Sequence, residues 1–381
     1  MKTSHLPFVV GIPAVLVFLA FFFTGCGPRY RHEALLDSPE HHTVNGFKLI
    51  SKGRLSDAKR EFDMALQLDA VYSPAYRGQA LALGMSGEFD PAFGAMSKAL
   101  SHARKKEDMA LAHVILMRLN AMKQGEGWME RVKGNFHLAI AEIPDFSEAY
   151  YYLGMALKQA FHLQEAEEAF RQVLGFNRLY AAEARSQLRI LDKIRRADPR
   201  TALEKRISVQ DHITRAETAA LLVHDLNIAG MLGKGTPAGS AAPPEEAGRE
   251  APEMPQDAGK HAFRKEIGVI IGLDIQGLRP FSDGTFEPEE AVARAGYALI
   301  IAHVFERAKG KTAAPGWRYR GGGSPFEDVS ENTPYYDAIL LCTRGMGVME
   351  PEGGRFDPLN KISGADALLA IRKLKEKLED R

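Results

Sequence analysis

Apolar and polar residues alternate with helical spacing in residues 55–68. Ala58, Phe62 and Ala65 recur at intervals of four and three, so they lie on one face of a helix, and charged residues fill the positions between them. A helix with one apolar face is stable only when that face packs against a neighbour. The segment therefore predicts an amphipathic helix within a larger helical assembly.

The same pattern repeats along the chain: a small residue, then an aromatic or bulky residue, then another small residue. Adding 34 to each of these positions gives Ala92, Met96 and Ala99, and the same step links Val132, Phe136 and Ala139 to Ala166, Phe170 and Val173. The step from Ala92 to Val132 is 40 residues instead of 34, which predicts six extra residues near positions 125–127. A fixed period of this length is typical of repeat proteins.

This pattern resembles the tetratricopeptide repeat (TPR), in which a small residue lets two helices approach and an aromatic ring fills the groove. The best unit covers residues 147–180, with Tyr150, Leu153 and Gly154 in its first helix. The resemblance implies four helical hairpins over residues 39–180, stacked because one hairpin cannot bury its apolar face alone. It also implies a groove for a protein or peptide partner. A generic helical bundle is the alternative.

A second repetition appears in the C-terminal part. Three pairs are each 70 residues apart: Phe286 and Phe356, Pro288 and Pro358, Arg294 and Gly364. Residues 281–288 read FSDGTFEP, residues 355–358 read RFDP, and residues 213–217 read ITRAE. These motifs resemble those of S-layer homology units. The resemblance implies a helical pseudo-trimer with units at 181–227, 255–306 and 324–381.

In that family the arginine of the ITRAE motif binds anionic cell-wall polysaccharide. Carried over by position, the implied glycan ligands are Arg215 and Arg294, with Asp328 as a partner in the third unit. Thr214 and Glu217 have the spacing of a capping box, which would fix the helix that carries Arg215.

The second and third units depart from the family pattern. Ala293 and Gly296 stand where the capping Thr and Glu belong, so we expect the helix start to hold Arg294 less firmly. Gly364 replaces the arginine of the third unit, which predicts a weak or inactive groove there.

The N-terminus predicts export. Residues 6–25 are uncharged and apolar, follow Lys2, and end at Gly25-Cys26, which resembles the lipobox of bacterial lipoproteins. The resemblance implies a signal peptide at 1–25, a lipidated Cys26 and a tether at 26–38. An uncleaved membrane anchor is the alternative. By analogy with other bacterial lipoproteins, Gly27 after Cys26 favours attachment to the periplasmic face of the outer membrane.

Composition separates the remaining segments and excludes several functions. Residues 228–254 are rich in Pro, Gly and Ala, which predicts a flexible insert, and 307–323 is a predicted linker. Lys plus Arg and Asp plus Glu both number 49, a balance that argues against a nucleic-acid-binding protein. With two cysteines, no P-loop and no dinucleotide fingerprint, the sequence predicts neither a metal site nor a cofactor.

We therefore expect a mostly α protein, with a TPR-type solenoid followed by a helical pseudo-trimer. The predicted function is that of a non-enzymatic, lipid-anchored envelope adaptor that binds a protein through its repeats and cell-wall polysaccharide through its C-terminal units. One alternative is an outer-membrane or pilus assembly lipoprotein in which both regions bind only proteins. A cell-wall hydrolase is a third alternative. It is less consistent with the sequence, because repeats occupy the place that a catalytic domain would need.

Overall fold

The computed structural model describes residues 37–232, 254–310 and 323–379. These residues are mostly α-helical and form no β-strand, as the sequence predicts for this part of the chain. The predicted signal peptide at 1–25 and the predicted lipidation site, Cys26, lie outside the described residues.

The helices of the described residues are numbered here in chain order. They are α1 (Pro39–Ile50), α2 (Leu55–Leu68), α3 (Ser73–Met85), α4 (Phe89–His102), α5 (Lys106–Lys123), α6 (Trp128–Glu142), α7 (Ser147–Gln159), α8 (Leu163–Phe176), α9 (Ala181–Ala197), α10 (Ala202–Ser208), α11 (Arg215–His224), α12 (Ile228–Leu232), α13 (Arg264–Gly272), α14 (Arg294–Ala308), α15 (Tyr336–Leu340) and α16 (Gly364–Glu379). A π-helical turn, Leu341–Gly345, follows α15 directly.

The chain divides into two compact units, Met1–Ile115 and Leu116–Arg381, and the division falls within α5. In the first unit, α1 packs on α2, and α3 packs on both α2 and α4. Phe62 on α2 is fully buried between these helices. A Cβ atom added at Gly46 on α1 or at Gly78 on α3 would overlap the Phe62 ring, so both glycines are required for this close packing.

The second unit repeats this arrangement in α7 and α8. Phe170 on α8 is fully buried, and a Cβ atom at Gly154 on α7 would lie 2.7 Å from its Cε1 atom. The aromatic ring thus fills a groove that exists only because the facing residue is glycine. The helix after this hairpin, α9, packs on α8 and ends at Ala197.

One of the six extra residues of the third repeat lies near 125–127, where the spacing predicted them: the loop 124–127 has four residues, against three after α3 and three after α7. The other five lengthen α5, which has 18 residues where α3 and α7 each have 13. Extending a helix adds one main-chain hydrogen bond per residue, whereas a longer loop would order residues without that gain.

Three loop–helix units follow within Leu116–Arg381: the first contains α10 and α11, the second α13 and α14, and the third α15 and α16. Their buried apolar side chains form one core, in which Phe286, Tyr297 and Phe356 are fully buried. Two boundaries differ from the prediction. Ile228, within the predicted insert, is buried in α12, and α14 continues two residues beyond 306.

Main-chain hydrogen bonds close the three loop–helix units into a ring. The amide of Val292 donates to Ile213 O at 3.0 Å, that of Ile362 donates to Val292 O at 2.9 Å, and that of Ile213 donates to Ile362 O at 3.2 Å. Each residue lies two positions before the first residue of α11, α14 or α16. We call these three contacts the main-chain ring.

The third loop–helix unit is also tied to α9. Lys193 on α9 lies 2.8 Å from Asp366 on α16, and Arg196 lies 2.6 Å from Glu350 in the loop before that helix. Further along α16, Arg372 contacts Glu204 at 2.7 Å and also pairs with Asp225. These polar contacts attach the C-terminal helix to the end of the repeats and to the first loop–helix unit.

Candidate functional site

Arg215, the first predicted glycan ligand, lies at the start of α11. The capping box is present: the Thr214 hydroxyl accepts from the Glu217 amide, and the Glu217 carboxylate accepts from the Thr214 amide, both at 3.1 Å. Most of the Arg215 side chain is buried, and burial lowers the pKa of its guanidinium from its ordinary value. The charged group is therefore held inside the module by a rigid helix start.

The Arg215 guanidinium donates to main-chain carbonyls of the second loop–helix unit. Nε donates to Phe286 O at 2.7 Å, Nη1 to Gly277 O at 2.9 Å and Nη2 to Arg279 O at 2.9 Å. The group also lies over the ring of Phe281, at 4.6 Å from the centroid. Arg215 thus fastens the loop between α13 and α14 to the first unit.

Arg294 has the same role one unit further along. Its Nε donates to Phe356 O at 2.8 Å and its Nη2 to Glu350 O at 2.9 Å. As expected, Ala293 gives α14 no side-chain cap, but Asn360 O accepts the Arg294 amide at 2.8 Å. The Arg215 amide makes the same kind of bond, to Glu290 O at 2.9 Å, and α11 has the capping box in addition, so weaker fixing of Arg294 stays a prediction.

Asp328, the third predicted ligand, binds the main chain of its own unit. Its carboxylate accepts from the amides of Phe356 at 3.0 Å and Asp357 at 2.7 Å. Burial acts to raise the pKa of Asp328, but these amides outweigh it and hold the pKa below its ordinary value. Glycan binding by Arg215, Arg294 and Asp328 stays a prediction, and their polar groups serve the fold.

Sequence reasoning missed the counterpart of Asp328 in the second unit. The carboxylate of Asp257 accepts from the amides of Phe286 at 3.0 Å and Glu287 at 2.6 Å. The signal was in the spacing: Asp257 precedes Phe286 by 29 residues, and Asp328 precedes Phe356 by 28. Aligning the two Phe-x-Pro motifs places Asp257 opposite Glu327, so a gap of one residue was needed to pair the two aspartates.

Gly364 explains why the third unit has no arginine. A Cβ atom at this position would overlap Ile207 O, and the Gly364 amide donates to Gln210 O at 3.0 Å. The first unit connects α10 to α11 through residues 209–214, without the long loop that precedes α14 and α16. The arginine and the loop that it would fasten are both missing, and glycine lets the two main chains touch.

A separate pocket lies on the repeat helices of Leu116–Arg381. It has a volume of about 630 Å³, and its walls are the last turns of α5 and α7 together with α10 and the loop that follows α10. The third wall belongs to the first loop–helix unit, so the repeats alone do not form the cavity. We call this cavity the basic pocket.

The charged residues that line the basic pocket are unbalanced. Four are cations, Arg118, Lys158, Lys205 and Arg206, and one is an anion, Asp211. Among the described residues, no carboxylate lies within ion-pair distance of Arg118, Lys205 or Arg206. The ion pairs of Leu116–Arg381 involve other side chains. The pocket therefore concentrates positive charge in a chain whose formal net charge is zero.

Aromatic rings hold these cations in place of carboxylates. The Arg118 guanidinium lies 4.6 Å from the centroid of Tyr152, and the Lys205 ammonium lies 5.4 Å from that of Phe161. Cation–π contacts orient a charged group without neutralising its charge. Arg118 and Lys205 are thus positioned and still available to an anion.

Lys158 forms the buried part of the pocket. Its side chain is almost fully buried, its Nζ donates to Gln187 Oε1 at 2.8 Å, and the nearest carboxylate oxygen, on the exposed Asp211, is 3.4 Å away. Burial lowers the pKa of the Lys158 ammonium, because the charged form loses its hydration there. This charge is only partly compensated by the protein.

A cluster of tyrosines supports the wall formed by α7. The rings of Tyr151 and Tyr180 are stacked with centroids 4.6 Å apart, and Tyr152 meets Tyr180 edge to face at 5.7 Å. Burial raises the pKa of Tyr151 to about 12, so its hydroxyl stays neutral at physiological pH. The cluster fixes the ring on which Arg118 rests.

Sequence reasoning also missed the basic pocket. Lys158 and Lys205 are 47 positions apart, in segments assigned to different domains, and no motif connects them. The one available signal was the occurrence of Arg118 and Lys158 near the ends of the first helices of two successive repeats.

Residues 37–232, 254–310 and 323–379 contain no group of three His, Cys, Asp or Glu side chains arranged to hold a metal ion. Within those ranges no helix has both the length and the apolar character that a membrane crossing requires. Cys342 is fully buried, and burial raises the pKa of its thiol far above the ordinary value.

Comparison with known proteins adds little to this description. No protein-family model matches the chain, and no curated protein matches it. Among solved structures it is similar to the crystal structure of YrrB, a TPR protein with an unusual peptide-binding site, at 21% sequence identity and a TM-score of 0.25. The match covers 45% of this chain and 85% of that chain. A TM-score this low does not establish a shared fold, so the helical-repeat description depends on the packing of this chain's own hairpins.

Proposed function

We propose that this chain is a non-enzymatic scaffold that binds a protein partner through the basic pocket, as a lipid-anchored adaptor of the cell envelope. The observation that carries the proposal is the pocket, where oriented cations without carboxylate partners surround an apolar surface that includes Met122 and Met155. Cavities that combine apolar walls with a few fixed polar groups are typical of binding sites.

Photo-crosslinking in the native host tests protein binding. p-Benzoylphenylalanine at position 152 faces the basic pocket, whereas the same group at position 138, an exposed position of α6, is a matched control away from it. We expect a discrete protein adduct from position 152 and none from position 138. Absence of an adduct at 152, or the same adducts from both positions, would contradict the proposal.

The envelope location is supported by the sequence alone. The apolar residues 6–25 followed by Cys26 resemble a lipoprotein leader, and a diacylated, N-acylated cysteine gives stable membrane attachment. Replacement of Cys26 by Ser is expected to abolish fatty-acid labelling and to leave an unprocessed precursor. Equal labelling of the wild type and the variant would exclude lipidation at this residue.

Two functions remain for the C-terminal units, cell-wall polysaccharide binding and binding of proteins only. Three of the five N–H donors of Arg215 and two of those of Arg294 are used by main-chain carbonyls, and the Asp328 carboxylate is used by main-chain amides. These contacts commit the buried Arg215 and the Asp328 carboxylate to the fold, and they leave three N–H donors on Arg294. They favour the outer-membrane or pilus assembly lipoprotein, in which both regions bind only proteins.

Co-sedimentation with purified sacculi, before and after acid removal of the attached polymers, separates these two functions. The full chain in detergent is expected to remain in the supernatant in both cases. Sedimentation that is lost on acid treatment would instead support polysaccharide binding by the loop–helix units.

A further inference from the structure

We infer that the basic pocket binds an acidic peptide segment, whose carboxylates are held jointly by Arg118 of the repeats and by Lys205 and Arg206 of the first loop–helix unit. The inference rests on the proposed function, because it assigns a ligand class to the same pocket. It differs from the sequence expectation in one respect. The two regions would form one binding site and would not act as separate binding modules.

The charge of the pocket selects an anionic ligand. Four cations and one carboxylate line it, a difference of three positive charges. Some exposed arginines elsewhere in Leu116–Arg381 have carboxylate partners, as Arg171 has Glu167 at 2.6 Å and Arg178 has Asp145 at 2.7 Å. In the basic pocket, by contrast, three cations without carboxylate partners, Arg118, Lys205 and Arg206, line one cavity.

The buried end of the pocket needs a second anion. An ammonium removed from water is stable only when hydrogen-bonded and paired. Lys158 has one neutral acceptor, Gln187, and a carboxylate at 3.4 Å whose own side chain is 69% exposed. A ligand carboxylate entering the cavity would complete the compensation of this charge.

The other walls favour a peptide over an anionic sugar. A sugar ring would stack on an open aromatic face, but Arg118 already covers Tyr152 and Lys205 already covers Phe161. The remaining apolar lining is aliphatic and includes Met122, Met155 and Ala156, and methionine adapts to varied aliphatic side chains. The volume of about 630 Å³ lies within the usual range for ligand pockets.

Calorimetric titration of the full chain in detergent micelles tests the inference. The probes are the capped peptide acetyl-Glu-Glu-Leu-Glu-Glu-amide, its isosteric analogue with four glutamines in place of the glutamates, and oligogalacturonate as an acidic glycan. We expect binding of the acidic peptide that weakens as salt is raised, no binding of the glutamine peptide, and weaker or no binding of the glycan.

Charge-removing variants locate the site. Arg118→Gln and Lys205→Gln should each weaken binding of the acidic peptide about tenfold or more, one on each side of the pocket. Arg171→Gln removes the same charge from an exposed position on α8 and should leave binding unchanged. Thermal unfolding monitored by circular dichroism checks that all three variants fold, and Arg118→Lys should restore part of the affinity.

Several results would overturn the inference: no binding of the acidic peptide, equal binding of both peptides, equal effects of Arg118→Gln and Arg171→Gln, or preference for the glycan. Failure here is distinguishable from failure of the proposed function. If the peptide does not bind but position 152 still crosslinks to a protein, the scaffold stands and the acidic ligand is wrong. If neither is observed, both proposals fall.

Discussion

The hairpin of α7 and α8 and the three loop–helix units have fully buried aromatic residues in common, but they are connected in different ways. In the hairpin, Phe170 fills a groove next to Gly154, 16 positions away. In the loop–helix units, Arg215 reaches the carbonyl of Phe286, 71 positions away, and the main-chain ring joins residues that are 70, 79 and 149 positions apart.

The comparison shows two ways of building a helical module. Hairpins are stabilised by apolar packing between neighbours in the sequence, so each repeat contributes in much the same way. The loop–helix units depend on long-range polar contacts that bind main-chain atoms of one unit to side chains of another. Removing one such contact leaves buried carbonyls without donors, which is a larger loss than the net value of a hydrogen bond.

The largest effect is expected from a variant that disrupts the hairpin of α7 and α8. Phe170→Ala should lower the free energy of unfolding by about 3–5 kcal/mol, because it removes a fully buried ring next to a glycine that cannot fill the space. Urea denaturation measures the total change. Because α9 packs on both α8 and α16, hydrogen exchange should also report lower protection in α16.

Phe62→Ala is the matched variant in Met1–Ile115, where Phe62 has the same position in its repeat. It should leave the protection of α16 unchanged. If Phe62→Ala and Phe170→Ala lower protection in α16 equally, the division into two compact units does not describe the unfolding of the chain.

The next variant tests the close approach of the main chain at Gly364 to that at Ile207. Gly364→Ala places a Cβ atom against Ile207 O, a main-chain atom that cannot rotate away, and should destabilise the chain by about 3 kcal/mol. Gly296→Ala is the control, because it lies in the first turn of α14 and its Cβ atom would meet Val292 at an ordinary 3.8 Å. That change should be neutral or slightly stabilising. Equal unfolding midpoints for the two variants would refute the close contact.

Substitutions of Arg215 and Arg294 test the long-range polar contacts of the loop–helix units. Arg215→Leu leaves three carbonyls without a donor and should cost about 2–3 kcal/mol, whereas Arg294→Leu leaves two and should cost about 1–2 kcal/mol. Urea denaturation of both variants gives the difference. A substitution of Arg215 that leaves stability unchanged would mean that its hydrogen bonds are not part of the fold, and would restore its availability as a glycan ligand.

The smallest effect depends on pH. Arg196 first, and then Lys373, hold the pKa of Glu350 at about 2. Because the folded pKa lies below the unfolded value of about 4.3, the stabilisation is fully present above pH 4.3 and is lost as the pH falls toward 2. Since the side chain is 37% exposed, Glu350→Gln should cost less than about 1 kcal/mol at pH 7.

The difference between wild type and Glu350→Gln should therefore shrink between pH 4.3 and pH 2. Unfolding midpoints in urea at pH 7, 4 and 3 check this, with Glu168→Gln on the exposed face of α8 as a control. A difference that stays constant with pH would show that Glu350 does not link α9 to the C-terminal helix through its charge.

The sequence predicted the repeated hairpins well because their packing depends on residues a fixed distance apart. Phe62 and Phe170 recur in register with the small residues around them, so the period of 34 carries the structural information. The capping box of Thr214 and Glu217 could also be predicted, because it joins residues three positions apart. In both cases the determining contact is local.

Contacts between distant segments could not be predicted in the same way. The predicted ligand role of Arg215 ignored the carbonyls of Gly277 and Arg279, which no pattern places near it. The basic pocket required the end of α7 and the start of the first loop–helix unit to meet, although these segments had been assigned to different domains. Tertiary packing, not residue spacing, creates that site.

Hydrogen exchange with and without acetyl-Glu-Glu-Leu-Glu-Glu-amide tests the central claim most directly, namely that the repeats and the first loop–helix unit form one binding site. The walls of the basic pocket lie at the C-terminal ends of α5 and α7 and along α10. The account predicts that the acidic peptide protects all three segments together, and that Lys205→Gln reduces protection in α5 and α7 as well as in α10. Protection confined to the repeat helices or to α10, or none at any of them, would contradict it.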